Sequence, residues 1–213
     1  MERANRTYKL YSSLPDLEQR KTWAEIDLGA LRHNYRLLRE MATADDPSVR
    51  MIAVVKAEAY GHGAPACVRA LLAEGCDYFA VSCLDEAVAV RCVCDEDHRE
   101  ADILILGYTP PELALQLARY EITQALLSED YAARLETNAA AAGVTVRTHV
   151  ALDTGMNRIG FPAHSEMETT ATVAAVARVA GFPHLSLEGM FTHFARADEA
   201  LDGAGAALTD LQA

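Results

Sequence analysis

From residue 51 onward, short apolar runs alternate with longer stretches in which apolar residues recur every three or four positions. The runs occupy 51–56, 78–82, 103–107, 122–128, 145–153 and 185–193, and the periodic stretches occupy 64–74, 85–94, 111–120, 130–142 and 165–180. Each run is mostly continuous rather than alternating, which predicts strands buried on both faces, as in a parallel sheet covered by helices. Upstream, 23–26 alternates like a short strand. Asp27 then caps a predicted helix whose apolar stripe is Leu28, Leu31, Tyr35 and Leu38. Ser82, with Asp85 three residues on, predicts a capping box. Gly75 and Gly143 fall where helices end and a left-handed residue is wanted.

This pattern permits an open doubly wound sheet or a closed barrel. No Gly-x-Gly-x-x-Gly opens a helix, so a dinucleotide-binding sheet has no support; Gly155, Gly160, Gly203 and Gly205 read as turn glycines. Six strands follow the first helix, whereas a closed eight-stranded barrel takes about 250 residues. Residues 1–20 are polar, carry Pro15 and read as an N-terminal extension; 21–213 reads as the folded domain.

Composition narrows the class. Of the 213 residues, 51% are hydrophobic and 23% charged, ordinary for a globular chain. A net charge of −12 argues against nucleic acid or an anionic membrane as partner. No apolar stretch approaches the roughly 18 residues of a membrane span, and residues 1–6 are not followed by the apolar core of a secretion signal. Five cysteines (Cys67, Cys76, Cys83, Cys92, Cys94) match no zinc or redox spacing and read as free thiols of a reducing cytoplasm.

Chemistry concentrates at predicted strand ends. Lys56 closes the apolar run 51–55, where desolvation favours a neutral, nucleophilic amine; a snorkelling strand-end lysine is the ordinary alternative. Tyr60 brings a phenol close behind it, and Gly61 and Gly63 permit a tight turn. Asp153 ends another strand, and its loop carries Arg158, suited to a carboxylate or phenolate, though a surface ion pair is the usual fate of arginine. His193 ends the last strand. In a parallel barrel all such ends share one rim.

The blocks Ala53-Val54-Val55-Lys56-Ala57-Glu58-Ala59-Tyr60-Gly61-His62-Gly63, Val81-Ser82-Cys83-Leu84-Asp85-Glu86-Ala87, Leu152-Asp153-Thr154-Gly155-Met156-Asn157-Arg158-Ile159-Gly160 and Phe191-Thr192-His193-Phe194-Ala195 occur in the order found in alanine racemases, and the chain resembles that family from about Trp23 onward. The resemblance implies an α/β fold of the (β/α)8 TIM-barrel type, incomplete here, with about six βα units. It implies that Lys56 binds pyridoxal 5'-phosphate as an aldimine and acts as catalytic acid/base. Tyr60 would bond the cofactor phosphate, Arg158 would contact the phenolic oxygen and the substrate carboxylate, and His193 would lie beside the ring. The implied activity interconverts L- and D-alanine for peptidoglycan, in a cytoplasmic homodimer.

Two departures accompany the likeness. Glu58 stands where asparagine is usual, and Ala151 stands where the family often has a carbamylated lysine that orients the arginine. Similar enzymes also continue into a β-rich domain carrying the second catalytic base, a tyrosine, so the chain reads as a truncated form. A serine-acting relative and a non-catalytic, single-barrel pyridoxal phosphate-binding protein are the alternative readings.

Overall fold

The structure, a computed structural model, describes residues 24–197. Seven parallel strands form one sheet: β1 (Ala53–Val54), β2 (Tyr78–Val81), β3 (Asp102–Ile105), β4 (Thr123–Leu126), β5 (Val146–Asp153), β6 (Phe161–Pro162) and β7 (Leu185–Thr192). They pair in chain order from β1 to β5, and β7 pairs along β5 from Val146 to Leu152. Leu152 is in register with both Phe161 and Thr192, so β6 and β7 flank β5 on opposite sides there. Among the described residues the sheet is an open arc with β1 and β7 at its edges.

The helices are α1 (Leu28–Ala42), α2 (Ala64–Ala73), α3 (Leu84–Glu96), α4 (Ala114–Arg119, entered through a 3-10 turn at Pro111–Leu113), α5 (Glu129–Ala142) and α6 (Glu166–Val179). They cover one face of the sheet. There Phe79, Ile103 and Ile105 pack with Val68, Leu117 and Leu135, all essentially inaccessible to water. The other face holds a small core of Tyr78, Ala80 and Leu104, flanked by Leu106 and Phe191. The expected α/β architecture is therefore present as an incomplete barrel-like arc.

Three local expectations change. The run 51–56 forms only the two-residue β1. Val55 is buried on the helix side, but Ile52 and Val54 are exposed, because Val54 shares the register and inner face of Ala80 at the open edge. Leu38 is likewise exposed while Tyr35 is buried. At 100° per residue it lies about 80° around α1 from Leu28, at the margin of the buried stripe. Residues 24–26 form no strand; position 23 and the extension 1–20 lie outside the described residues. The cap at Asp27 is present, its carboxylate accepting the Gly29 and Ala30 N–H groups at 2.8 and 3.0 Å. Gly75 and Gly143 end α2 and α5 with φ of +82° and +65°.

At the N-terminal floor of the inner face, one carboxylate on β3 staples β5 and the segment leading into β1. Asp102 accepts from Arg50 at 2.8 Å and from Arg147 at 3.0 Å. Arg50 also pairs with Asp77 at 3.3 Å and stacks 4.8 Å over the Tyr78 ring. Replacing Asp102 by alanine leaves two guanidinium groups facing each other. The expected cost is about 1–3 kcal/mol, above the about 0–1 kcal/mol of an isolated surface pair. Urea unfolding of D102A against wild type measures it, and the difference should shrink in high salt.

Candidate active site at the C-terminal rim

Lys56 sits at the tip of β1, half-buried, and the chain then turns with the wrong hand for L-residues. Ala57, Glu58, Ala59 and Tyr60 hold φ between +50° and +56°, and Gly61 follows at +84°. Such a left-handed turn of four non-glycine residues costs roughly 4–8 kcal/mol by itself. Hydrogen bonds offset it. The Ala59 N–H donates to the Val55 carbonyl and the Gly63 N–H to the Glu58 carbonyl, both at 2.9 Å. His62 Nδ1–H donates to the Ala59 carbonyl at 2.8 Å. The Glu58 carboxylate accepts the Ala64 N–H at 3.2 Å, capping the start of α2. Glutamate in place of the usual asparagine thus keeps an acceptor at the helix entrance. The turn brings the Tyr60 ring to 5.8 Å from Lys56 Nζ, with Tyr60 60% exposed.

Glu86, on the first turn of α3, ties this turn to β2. Its carboxylate accepts the Ala57 N–H at 2.8 Å, the Ser82 N–H at 2.8 Å and the Ser82 hydroxyl at 2.7 Å. The capping box expected from Ser82 and Asp85 is corrected: Cys83 is the N-cap, Glu86 reaches back to Ser82, and Asp85 stays exposed. Burial alone would push the Glu86 carboxyl up. The Ser82 N–H and hydroxyl, then the Ala57 N–H, outweigh it and hold the group below the usual glutamate range.

Across the rim, Asp153 at the end of β5 organises the loop that carries Arg158. Its two oxygens accept the N–H groups of Gly155 (3.2 Å), Asn157 (2.9 Å) and Arg158 (3.1 Å). His164 Nε2 stands 3.2 Å from the same carboxylate, and its Nδ1 lies 3.4 Å from Glu168. Gly160 lets the loop close against β5: at φ +125°, a Cβ there would lie 2.8 Å from the Ala151 carbonyl. The hydroxyls of Thr154 and Thr192 meet at 2.7 Å, fastening the loop to the end of β7.

Arg158 and His193 therefore line one hollow open to solvent, with Leu106, Asp153, Met156 and Phe191. Both residues are exposed, and among the described residues the Arg158 guanidinium makes no hydrogen bond or ion pair. Ala151, buried beneath, offers it nothing polar. Lys56 and Tyr60 form a separate pair on the β1 side and do not line this hollow. The sequence pattern pointed to all four residues. It missed Glu86, His164 and the left-handed turn, although an acid in the first turn of a helix after a strand-end serine was a readable signal for Glu86. Among the described residues no cluster of His, Cys, Asp or Glu is arranged to hold a metal ion, the five cysteines are free thiols, and no helix is long and apolar enough to cross a membrane.

An arc of parallel strands with helices on one face, bearing a lysine at the tip of its first strand and an arginine loop after its fifth, defines an α/β-barrel domain with a chemically equipped C-terminal rim. The profile described as "Alanine racemase, N-terminal domain" matches residues 26–213, and the chain belongs to that family. It is 41% identical over 181 residues to the alanine racemase of Desulfovibrio desulfuricans, a match covering 85% of this chain and 45% of that protein. The solved alanine racemase of Clostridium difficile 630 in complex with cycloserine is similar at a TM-score of 0.75 and 33% identity, covering 91% of this chain and 50% of that one. A histidine racemase from Leuconostoc mesenteroides is similar at 0.68 and 27%, covering 87% and 45%. The chain spans about half the length of these relatives.

Burial alone would raise the Asp153 carboxyl, but the Asn157 N–H, the His164 ring and the Gly155 N–H hold it below the usual aspartate range. A carboxyl lowered in the folded state stabilises fully above its unfolded pKa of about 3.9 and loses that contribution as pH falls through the folded value. D153N should therefore be less stable than wild type at pH 7, by about 1–3 kcal/mol for the part-buried N–H donors it no longer satisfies with a charged acceptor. The gap should close as pH falls through the lowered folded value and the wild-type carboxyl protonates. Thermal unfolding of both chains across this range checks it.

Proposed function

We propose that this chain forms the lysine-bearing barrel portion of a pyridoxal phosphate-dependent alanine racemase. The observation that carries the proposal is Lys56, held at the tip of β1 by a costly left-handed turn that brings Tyr60 beside it. Membership of the family supports the reaction class.

The donor set fits the cofactor. A primary amine suits its aldehyde, a phenol its phosphate, and a guanidinium without a partner among the described residues its phenolate or an amino-acid carboxylate. Lys56, Tyr60, Arg158 and His193 would hold it, with the His193 imidazole beside the ring. When bound, pyridoxal phosphate withdraws electrons from the α-carbon and so makes its proton acidic.

Within this proposal Lys56 Nζ accepts and returns the α-proton on one face of the amino acid. Arg158 fixes the carboxylate and so orients the α-carbon. Tyr60, through its hydroxyl, anchors the opposite end of the site. Proton exchange on the second face needs a second acid/base, proposed to come from the remaining part of the whole protein, working as a homodimer. Alanine is the proposed substrate, its product D-alanine entering peptidoglycan. Cytoplasmic location, suited to free thiols, belongs to the same proposal.

The chain's other lysines, Lys9 and Lys21, provide an internal control. Incubation with pyridoxal phosphate followed by borohydride should place a pyridoxyl group on Lys56 at least tenfold faster than on either. Peptide mass mapping reads this, and K56A should lose the fast phase. Equal labelling of all three lysines, or an unchanged fast phase in K56A, would defeat the proposal.

A further inference from the structure

Parallel pairing of β1 with β2 sets Ala53 beside Phe79 and Val54 beside Ala80, and the Val55 N–H extends it onto the Ala80 carbonyl at 2.9 Å. Two more rungs would follow in a continuing parallel ladder: Ser82 N–H onto the Val55 carbonyl, then Ala57 N–H onto the Ser82 carbonyl. Both donors go elsewhere. The Ser82 N–H donates to Glu86 Oε2 and the Ala57 N–H to Glu86 Oε1, each at 2.8 Å. The Val55 carbonyl accepts instead from the Ala59 N–H at 2.9 Å, the bond that closes the left-handed turn. One carboxylate therefore stands in the fork where two strands part, and the residue at that fork is Lys56.

We propose that Glu86 is the positioning residue of Lys56: by taking the next two ladder donors, its carboxylate ends the β1–β2 pairing and sets the backbone direction from which the lysine side chain projects. The lysine's role itself rests on the reading given under Proposed function. Two anionic oxygens are required, because both partners at the fork are donors. A glutamine would present one oxygen and set its NH2 against the other N–H. An aspartate keeps the charge but is one methylene shorter. The first turn of α3 favours the charge through its own unpaired N–H groups. Hydrogen bonding that holds Glu86 below the usual glutamate range keeps it an acceptor at neutral pH.

The test uses the whole chain as wild type, E86Q and E86D, with two readouts. Without cofactor, amide hydrogen exchange at Ala57, Ser82 and Ala59 should accelerate at least tenfold in E86Q, with the β3–β4 amides unchanged. Unaltered protection at Ala57 would overturn the fork. With pyridoxal phosphate and borohydride, labelling of Lys56 should slow at least tenfold in E86Q, recover in part in E86D, and stay constant at Lys9 and Lys21. Lost protection with an unchanged Lys56 rate would overturn the positioning role. A wild-type chain that labels nothing preferentially at Lys56, while E86Q still loses Ala57 protection, would sink the cofactor reading and leave Glu86 a residue of the fold alone. Should E86Q not fold, wild-type amide shifts against pH decide. Ala57 and Ser82 should move together with one inflection below the ordinary glutamate range, and separate inflections or none would overturn the proposal.

Discussion

A backbone N–H that leaves a sheet must find another acceptor, and burying it unpaired costs as much as a lost hydrogen bond. The C-terminal rim of this arc meets that constraint twice in the same way. Glu86 takes the donors released where β1 and β2 separate, and Asp153 takes three from the loop that follows β5. Each carboxylate is anchored on a regular element, α3 or β5, and each fixes an irregular segment bearing a candidate functional side chain. Charge-assisted bonds of this kind are stronger than neutral ones. They let the rim depart from helix and strand geometry without losing definition.

The two faces of the sheet do different work. The helix-covered face supplies the core, with large residues such as Phe79, Ile103 and Leu126 fully buried. The inner face is thinly packed, and at its floor it relies on charge, with Asp102 joining Arg50 and Arg147. That division explains why Val54 and Met190 stand exposed on strands that lie at the edges of the arc. It also leaves the rim as the place where polar side chains from successive strands project into open space.

Much of this was legible in the sequence because parallel strands buried on both faces write themselves as continuous apolar runs; all six runs contain a strand whose ends fall within a residue or two. The run at 51–56 misled about burial, because apolar content does not report exposure at an open edge, where Val54 is exposed on a two-residue strand. The four ordered blocks identified the family, since they carry the loop residues themselves. What they did not carry was handedness. Nothing in Ala57-Glu58-Ala59-Tyr60 favours positive φ; the conformation is imposed by Glu86 and Val55, which take the backbone N–H groups of Ala57 and Ala59. Tertiary acceptors of that kind leave no periodic trace. His164 was invisible for a related reason: it follows closely after the loop in sequence, and only the fold turns its ring back onto Asp153.

Ala151 shows how the same scaffold changes the way an arginine is placed. A side-chain partner beneath Arg158 would fix its guanidinium directly, but a methyl group leaves that end unheld. Here the backbone of residue 158 is fixed instead, through its N–H on Asp153 at 3.1 Å, while Gly160 and the Thr154–Thr192 pair close the loop around it. The position of the Cα is thus set and the side-chain torsions are not. Ordering a long, freely rotating side chain on a ligand costs about 0.5–1.5 kcal/mol, so an anion arriving in the hollow must bear that cost itself. The consequence is an arginine whose backbone the loop fixes and whose guanidinium, among the described residues, has no protein group to orient it.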